Sequence, residues 1–153
     1  MPSYRFVTEW DVPAPPDMVF DVISDSLRWP EWWRGIKAVD ELTLHEPQGV
    51  GNRRRYTFRS FLPYDLVFDM QVTRFEAPAA LEGHATGELE GEGRWSFAPT
   101  PRGTHVRYEW DVRTTKWWMN LLAPIARPAF TWNHGVVMRW GEEGLRRRLG
   151  VAG

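Results

Sequence analysis

The chain contains no cysteine. That excludes disulfides, thiolate metal sites and a cysteine nucleophile. Lysine is nearly missing too: of 19 basic residues only Lys37 and Lys116 are lysine, and the rest are arginine. Twenty acidic residues offset those 19, for a net charge of −1. So there is no global electrostatic case for nucleic acid as a partner. No segment carries the roughly 20 apolar residues needed to span a bilayer, and no N-terminal run is apolar enough for a secretory signal. The expectation is a soluble cytoplasmic protein without an integral membrane segment. Internal repeats, low-complexity tracts and linkers are also lacking. A length of 153 residues favours one domain, taken as 1–153.

Chemical signatures are equally sparse. The four histidines are His45, His84, His105 and His134. No two stand at a metal-binding spacing, and none has a carboxylate in a zinc pattern. There is no phosphate-binding loop, no nucleophile elbow and no dinucleotide fingerprint. The glycine-rich run 87–93 is acidic and would repel phosphate, so it reads as a hairpin. No metal and no cofactor are expected. His105 alternates with apolar residues and is expected to face solvent, and His134 is expected on the surface or rim.

What the chain does have is tryptophan, ten of them, and two sharp periodicities near its end. Tryptophan offers a large apolar surface and one donor, which suits cores and ligand walls alike. In 104–113, Val106, Tyr108, Trp110 and Val112 point one way while Arg107, Glu109, Asp111 and Arg113 point the other. That period of two marks a half-buried strand. Residues 116–149 then switch to a period near 3.6, which marks a long amphipathic helix, with Thr115 as its N-cap. At about 100° per residue, Trp118, Leu122, Ile125, Ala129, Asn133, Val136 and Trp140 fall on one stripe, taken as the inward face. His134, Met138, Gly141 and Leu145 fall opposite or on the flank. Pro124 and Pro128 predict a kink or break near 121–128. Arg146, Arg147 and Arg148 favour the helix C-terminus as a solvated end.

Upstream, a strand over 3–12 carries Tyr4, Phe6, Thr8, Trp10 and Val12 on one face. Pro15 or Pro16 opens a short helix with Asp17 in its first turn. A second short helical piece carries Leu27, Trp29, Trp32 and Trp33 and ends at Gly35. Five further strands are expected over 36–45, 52–61, 64–76, 80–86 and 91–98, before the one at 104–113. The glycines at 83, 87, 91 and 93 mark bulges or bends that let a sheet curl. Six consecutive strands with short turns imply an antiparallel meander, and the last helix is the one element long enough to cover it.

Three segments, in this order, resemble one family. They are Val12-Pro13-Ala14-Pro15-Pro16-Asp17-Met18-Val19-Phe20-Asp21-Val22-Ile23, Trp29-Pro30-Glu31-Trp32-Trp33, and Gly103-Thr104-His105-Val106-Arg107-Tyr108-Glu109-Trp110. Together they resemble the START-like, or Bet v 1-like, superfamily, and within it the bacterial polyketide cyclase/dehydrase and lipid-transport group. The resemblance implies an α+β helix-grip fold: a curved antiparallel sheet of about seven strands, in the order β-α-α-β6-α, wrapped on a long C-terminal helix. It also implies a deep, mostly apolar cavity between sheet and helix. The inward strand sets then nominate Tyr56, Phe58, Phe68, Met70, Trp95, Tyr108 and Trp110 as its wall. Leu122, Ile125, Ala129 and Asn133 face them from the helix, and Trp32 and Trp33 stand at one end. Arg54, Tyr56, Tyr108 and Asn133 are candidate hydrogen-bond donors.

Three functions fit this picture. The first is a carrier or binding protein for a hydrophobic small molecule: a lipid, an aromatic or a polyketide-like compound. The second is a polyketide cyclase/dehydrase that steers its substrate with cavity donors. The third is a protein-interaction module of the chaperone-activator type. A monomer or homodimer is expected. On the outer face, Arg53, Arg55 and Arg59 form a basic row that is expected to pair with neighbouring carboxylates rather than bind an anionic partner.

Overall fold

The computed structural model describes residues 3–43, 50–59, 65–115, 121 and 123–151. Strand β1 (Ser3–Val12) leads into helix α1 (Pro16–Ser24). A single 3-10 turn, Ser26–Arg28, and the short helix α2 (Trp29–Trp32) follow. Six strands come next: β2 (Ile36–Thr43), β3 (Arg53–Phe58), β4 (Leu66–Glu76), β5 (Ala80–Gly87), β6 (Leu89–Thr100) and β7 (Gly103–Thr114). The last element is helix α3 (Ala123–Leu149). The seven strands form one antiparallel sheet in the order β1-β7-β6-β5-β4-β3-β2. Every consecutive pair from β2 to β7 is hydrogen-bonded, so the meander is complete, and β1 joins beside β7. The curved sheet wraps on α3, which makes the fold an α+β helix grip.

Local chemistry explains the elements. In β1 the residues facing inward, Tyr4, Trp10 and Val12, are buried, while Ser3, Arg5, Val7, Glu9 and Asp11 are exposed. Helix α1 starts at Pro16, where a missing N–H breaks no helical bond, and Asp17 sits in its first turn. Its face of Val19, Phe20 and Ile23 is buried. With Val106, Phe97 and Leu145 it forms the solid end of the interior. Buried Thr104 in β7 donates to the Ala14 carbonyl at 2.7 Å, which ties β7 to the turn before α1.

Helix α3 differs from the sequence expectation in two ways. It runs unbroken through Pro128, and Pro124 lies in its first turn, where proline is tolerated. The Thr115 hydroxyl donates to the Gly87 carbonyl at 2.7 Å and its N–H to the Glu88 carbonyl, fastening the end of β7 to the β5–β6 hairpin, and the turn that Thr115 is expected to cap lies outside the described residues. The expected helical stretch 116–120 and the stripe residues Trp118 and Leu122 lie outside the described residues.

The larger difference is rotation. Phe130, Val137, Met138 and Leu145 are buried, as is Val136 of the expected stripe, whereas Ala129 is exposed and Trp140 only half-buried. The inward face is therefore centred about 100° from the expected stripe and overlaps it at Asn133 and Val136. The cause is close approach to α2. A Cβ on Gly141 would lie 2.5 Å from the Trp33 ring, and one on Gly144 would lie 1.8 Å from the Trp32 carbonyl oxygen. The two glycines let α3 lie directly on the α2 backbone, and Trp33 fixes that contact by donating its indole N–H to the Val137 carbonyl at 2.8 Å.

Candidate functional site

A cavity of about 160 Å³ lies between the inner face of the sheet and the middle of α3. Its walls are strongly apolar because strands β3, β4, β6 and β7 each turn alternate aromatic or aliphatic side chains inward. Of the expected wall, Tyr56, Phe58, Phe68, Met70, Trp95, Tyr108 and Trp110 all line it, as do Trp33, Arg54 and Asn133. The rings touch one another. Trp95 stacks on Tyr108 with centroids 4.1 Å apart, and Phe68 meets Trp110 at 5.6 Å.

The register explains why there is space at all. Gly93 in β6 pairs with Gly83 in β5 on one side and Trp110 in β7 on the other. A Cβ on Gly93 would lie 2.9 Å from the Tyr108 hydroxyl and 3.0 Å from the Trp110 ring, and one on Gly83 would meet Met70 at 2.8 Å. Two facing glycines thus leave a shallow floor on which large side chains from neighbouring strands lie.

Two expected residues differ and two are not described. Ala129 is exposed and stands off the cavity, a consequence of the rotation of α3. Trp32 is buried, but it packs beside Trp33 at 5.4 Å against α3 and lines a separate surface cleft. Leu122 lies outside the described residues, and so does the side chain of Ile125.

The polar lining falls into two groups. The first is on β3 and the turn after α1. Arg54 is 7 % exposed and donates to Ser26 Oγ at 2.8 Å and to the Ser24 carbonyl at 3.4 Å. Ser26 Oγ is also 2.8 Å from the Tyr56 hydroxyl. Burial pushes the Tyr56 hydroxyl pKa up, against the opposing pull of Ser26 and the Arg54 charge. Tyr108, whose hydroxyl makes no hydrogen bond within the described residues, is pushed well above the ordinary tyrosine range by burial. Both phenols are neutral donors at physiological pH.

The second group is Asn133 and His134 on α3. The sequence pattern puts His134 off the inward face, but the rotation of α3 carries it into the cavity. Its ring stacks on Phe6 with centroids 4.0 Å apart. Burial lowers its pKa to about 4, so it is a neutral imidazole at pH 7. Sequence reasoning also missed Ser26, Trp29, Phe130 and Val137, all on the lining. Phe130, His134, Val137, Met138 and Leu145 follow helical spacing among themselves, so their pattern was present but offset by one position.

The remaining candidates have structural partners. On the outer face Arg55 pairs with Asp69 at 2.8 Å, Arg53 with Asp69 at 3.9 Å and Arg59 with Asp65 at 3.7 Å. Such exposed pairs are screened by solvent and contribute little to stability. Asp69→Asn is expected to leave the urea unfolding midpoint nearly unchanged. His105, raised in pKa by Asp11 and Glu9, and His84, 2.8 Å from Glu92, also sit on that face. His45 lies outside the described residues. At the helix end, Arg148 reaches Glu31 at 3.0 Å. No group of three potential metal ligands occurs among the described residues, and no described helix is long and apolar enough to cross a membrane.

Known proteins place the fold. The aromatase/cyclase Zhui from Streptomyces sp. R1128 is 15% identical and superposes with a TM-score of 0.76, covering 98% of this chain and 99% of its own. The protein TTHA0849 from Thermus thermophilus is 18% identical, with a TM-score of 0.73 over 96% of this chain and 99% of its own. A START superfamily protein from Mycobacterium smegmatis is 17% identical, with a TM-score of 0.71 over 95% of each chain. At such identities the likeness is one of fold. Comparison with curated protein sequences finds no significant match. The family model described as polyketide cyclase / dehydrase and lipid transport matches residues 3–150, and the chain belongs to that family.

Proposed function

We propose that the protein binds a compact hydrophobic small molecule, a lipid, aromatic or polyketide-like compound, in the cavity between the sheet and α3. One observation carries this reading. The interior is not filled by its own side chains but keeps about 160 Å³ open within an aromatic wall that has a few placed polar groups. Ligand sites have that character, mostly apolar with sparse orienting groups. The volume is close to the ~150 Å³ of an engineered apolar cavity that holds benzene. In this conformation it suits one ring or a short chain.

A second reading is cyclisation or dehydration of a polyketide-like substrate, and His134 favours it. Its ring lies inside the cavity as a neutral imidazole able to accept a proton, and general bases are commonly histidines, though burial makes this one a weaker base than a solvated histidine. Tyr108 and Arg54 supply donors for a developing enolate oxygen in the same dry space.

The test is native mass spectrometry of the protein purified from its own host, with thermal shifts across lipid and aromatic-polyketide panels. Binding alone predicts a retained small molecule recovered unchanged. Cyclase/dehydrase chemistry predicts a polyketone mimic recovered with water lost, and His134→Gln slowing that loss. No retained molecule and no thermal shift would rule out both readings.

A further inference from the structure

A purely hydrophobic ligand leaves one feature of the cavity unexplained: a buried cation without an acid. Arg54 is 7 % exposed, yet no carboxylate among the described residues comes within 4.0 Å of it. Its neighbours on β3, Arg53 and Arg55, point outward and both meet Asp69. The contacts of the Arg54 guanidinium are the neutral oxygens of Ser26 and Ser24. Its Nε–H is buried with no hydrogen-bond partner among the described residues. Glu82 is the sole acidic residue on the lining, and Arg74 already holds it at 2.9 Å. Tyr56, Tyr108 and His134 are all uncharged at neutral pH.

Arg54 is therefore the one formal charge on the described lining without an opposite charge beside it. Buried charges are ordinarily paired as well as hydrogen-bonded, because dipoles alone replace water incompletely. Arginine presents a planar fork of five donors that matches a carboxylate in shape and charge. The rest of the wall is aromatic and the volume is that of a single ring or short chain.

We propose that the occupant is a compact organic acid, held as its carboxylate against Arg54 with its apolar body on Trp95, Tyr108 and Trp110. This rests on the cavity being a hydrophobic ligand site and adds the charge and size of the ligand. Neutral esters, amides and thioesters of the same body would leave Arg54 unpaired and bind more weakly. An aliphatic acid and an aromatic acid share the carboxylate, and the ring contacts favour the aromatic one.

The experiment is calorimetric titration of the protein with benzoate, 2-naphthoate and hexanoate, each against its primary amide. Hydrogen bonds to charged groups predict a preference of about tenfold or more for each acid over its amide. In Arg54→Met that preference falls to about twofold or less while amide binding persists. A second measurement needs only the wild-type protein. With a carbon-13 label in the carboxyl group, bound benzoate should remain ionised at a pH where free benzoate is protonated. Equal affinity for acid and amide in the wild type would overturn the proposal and leave the hydrophobic site standing. Failure of both acids and amides to bind would overturn the site and the proposal together. Among the acids, binding of hexanoate alone would overturn the aromatic preference.

Discussion

Gly144→Ala is expected to destabilise the protein by about 3 kcal/mol or more, although alanine is the best helix former and glycine among the worst. In a solvated stretch of helix, this exchange gains about 1 kcal/mol. Here the new methyl carbon would sit 1.8 Å from the Trp32 carbonyl oxygen. That atom is backbone, held in α2 and followed by a Trp33 side chain that is itself bonded to α3. No rotamer change relieves the overlap, so α3 must move off α2. Overpacking typically costs about 1–3 kcal/mol where side chains can adjust, so about 3 is a lower figure for a clash with fixed backbone. For a chain of this size that lowers the melting temperature by roughly 6–12 °C. Gly135 is the control within the same helix, since a Cβ there meets only the Arg139 guanidinium at 3.9 Å. Gly135→Ala is expected to raise stability by about 0.5–1 kcal/mol. Thermal and urea unfolding of both variants checks the pair. A Gly144→Ala protein as stable as the wild type would show that α3 does not lie on α2 as described.

The same glycines show why the fold was legible in the sequence and the helix face was not. Strand patterns are carried by alternating large side chains, and the strand expected at 3–12 lies there as β1. In β7, Val106, Trp110 and Val112 are buried and Tyr108 lines the cavity, as their alternation implies. A period of two leaves only two choices of face, and the charged residues exclude one. A helix face can take any angle. Weighing apolar bulk lets Trp140 and Ala129 draw the stripe toward themselves. The contact that sets the angle is made by Gly141 and Gly144, which contribute no bulk, and by Trp33 more than a hundred residues away in the chain. Trp140 satisfies its apolar surface at the flank instead, under the Arg34 guanidinium at 4.4 Å. The cavity wall on the sheet was therefore foreseeable, and so was Asn133 on the helix, while the centre of the helix face was displaced by one residue. Ser26 had no visible signal, because its role depends on β3 bringing Arg54 and Tyr56 beneath the turn after α1.

That displacement exposes the second large effect, which is a pH dependence. On the rim, where the sequence pattern puts it, His134 would titrate without touching stability. Inside the cavity its pKa falls from 6.5 to about 4, with burial as the cause. The folded state therefore holds the neutral ring over a range where the unfolded chain binds a proton. Between about pH 6.5 and pH 4 the unfolded state carries more protons, so stability rises with pH there and is lost on acidification. At about 1.36 kcal/mol per unit, the full loss is at most about 3 kcal/mol. His105 works in the opposite sense: its pKa is raised by Asp11 and Glu9, so its contribution is complete in acid and fades as pH rises. A comparison with one histidine replaced separates the two. Urea midpoints of wild type and His134→Gln should converge toward parallel lines above about pH 7. Below about pH 6.5 the wild type should fall progressively faster, while the variant keeps the slope set by the other groups. Parallel curves from about pH 7.5 to 4 would mean that the imidazole is solvated, and that α3 is turned as the apolar stripe alone implied. Above about pH 6 a neutral His134 also keeps Arg54 the one unpaired formal charge on the described lining. Protonation would add a second cation to the same apolar space. Acid would then weaken the packing of α3 on Phe6 and, with it, the side of the cavity that the helix closes.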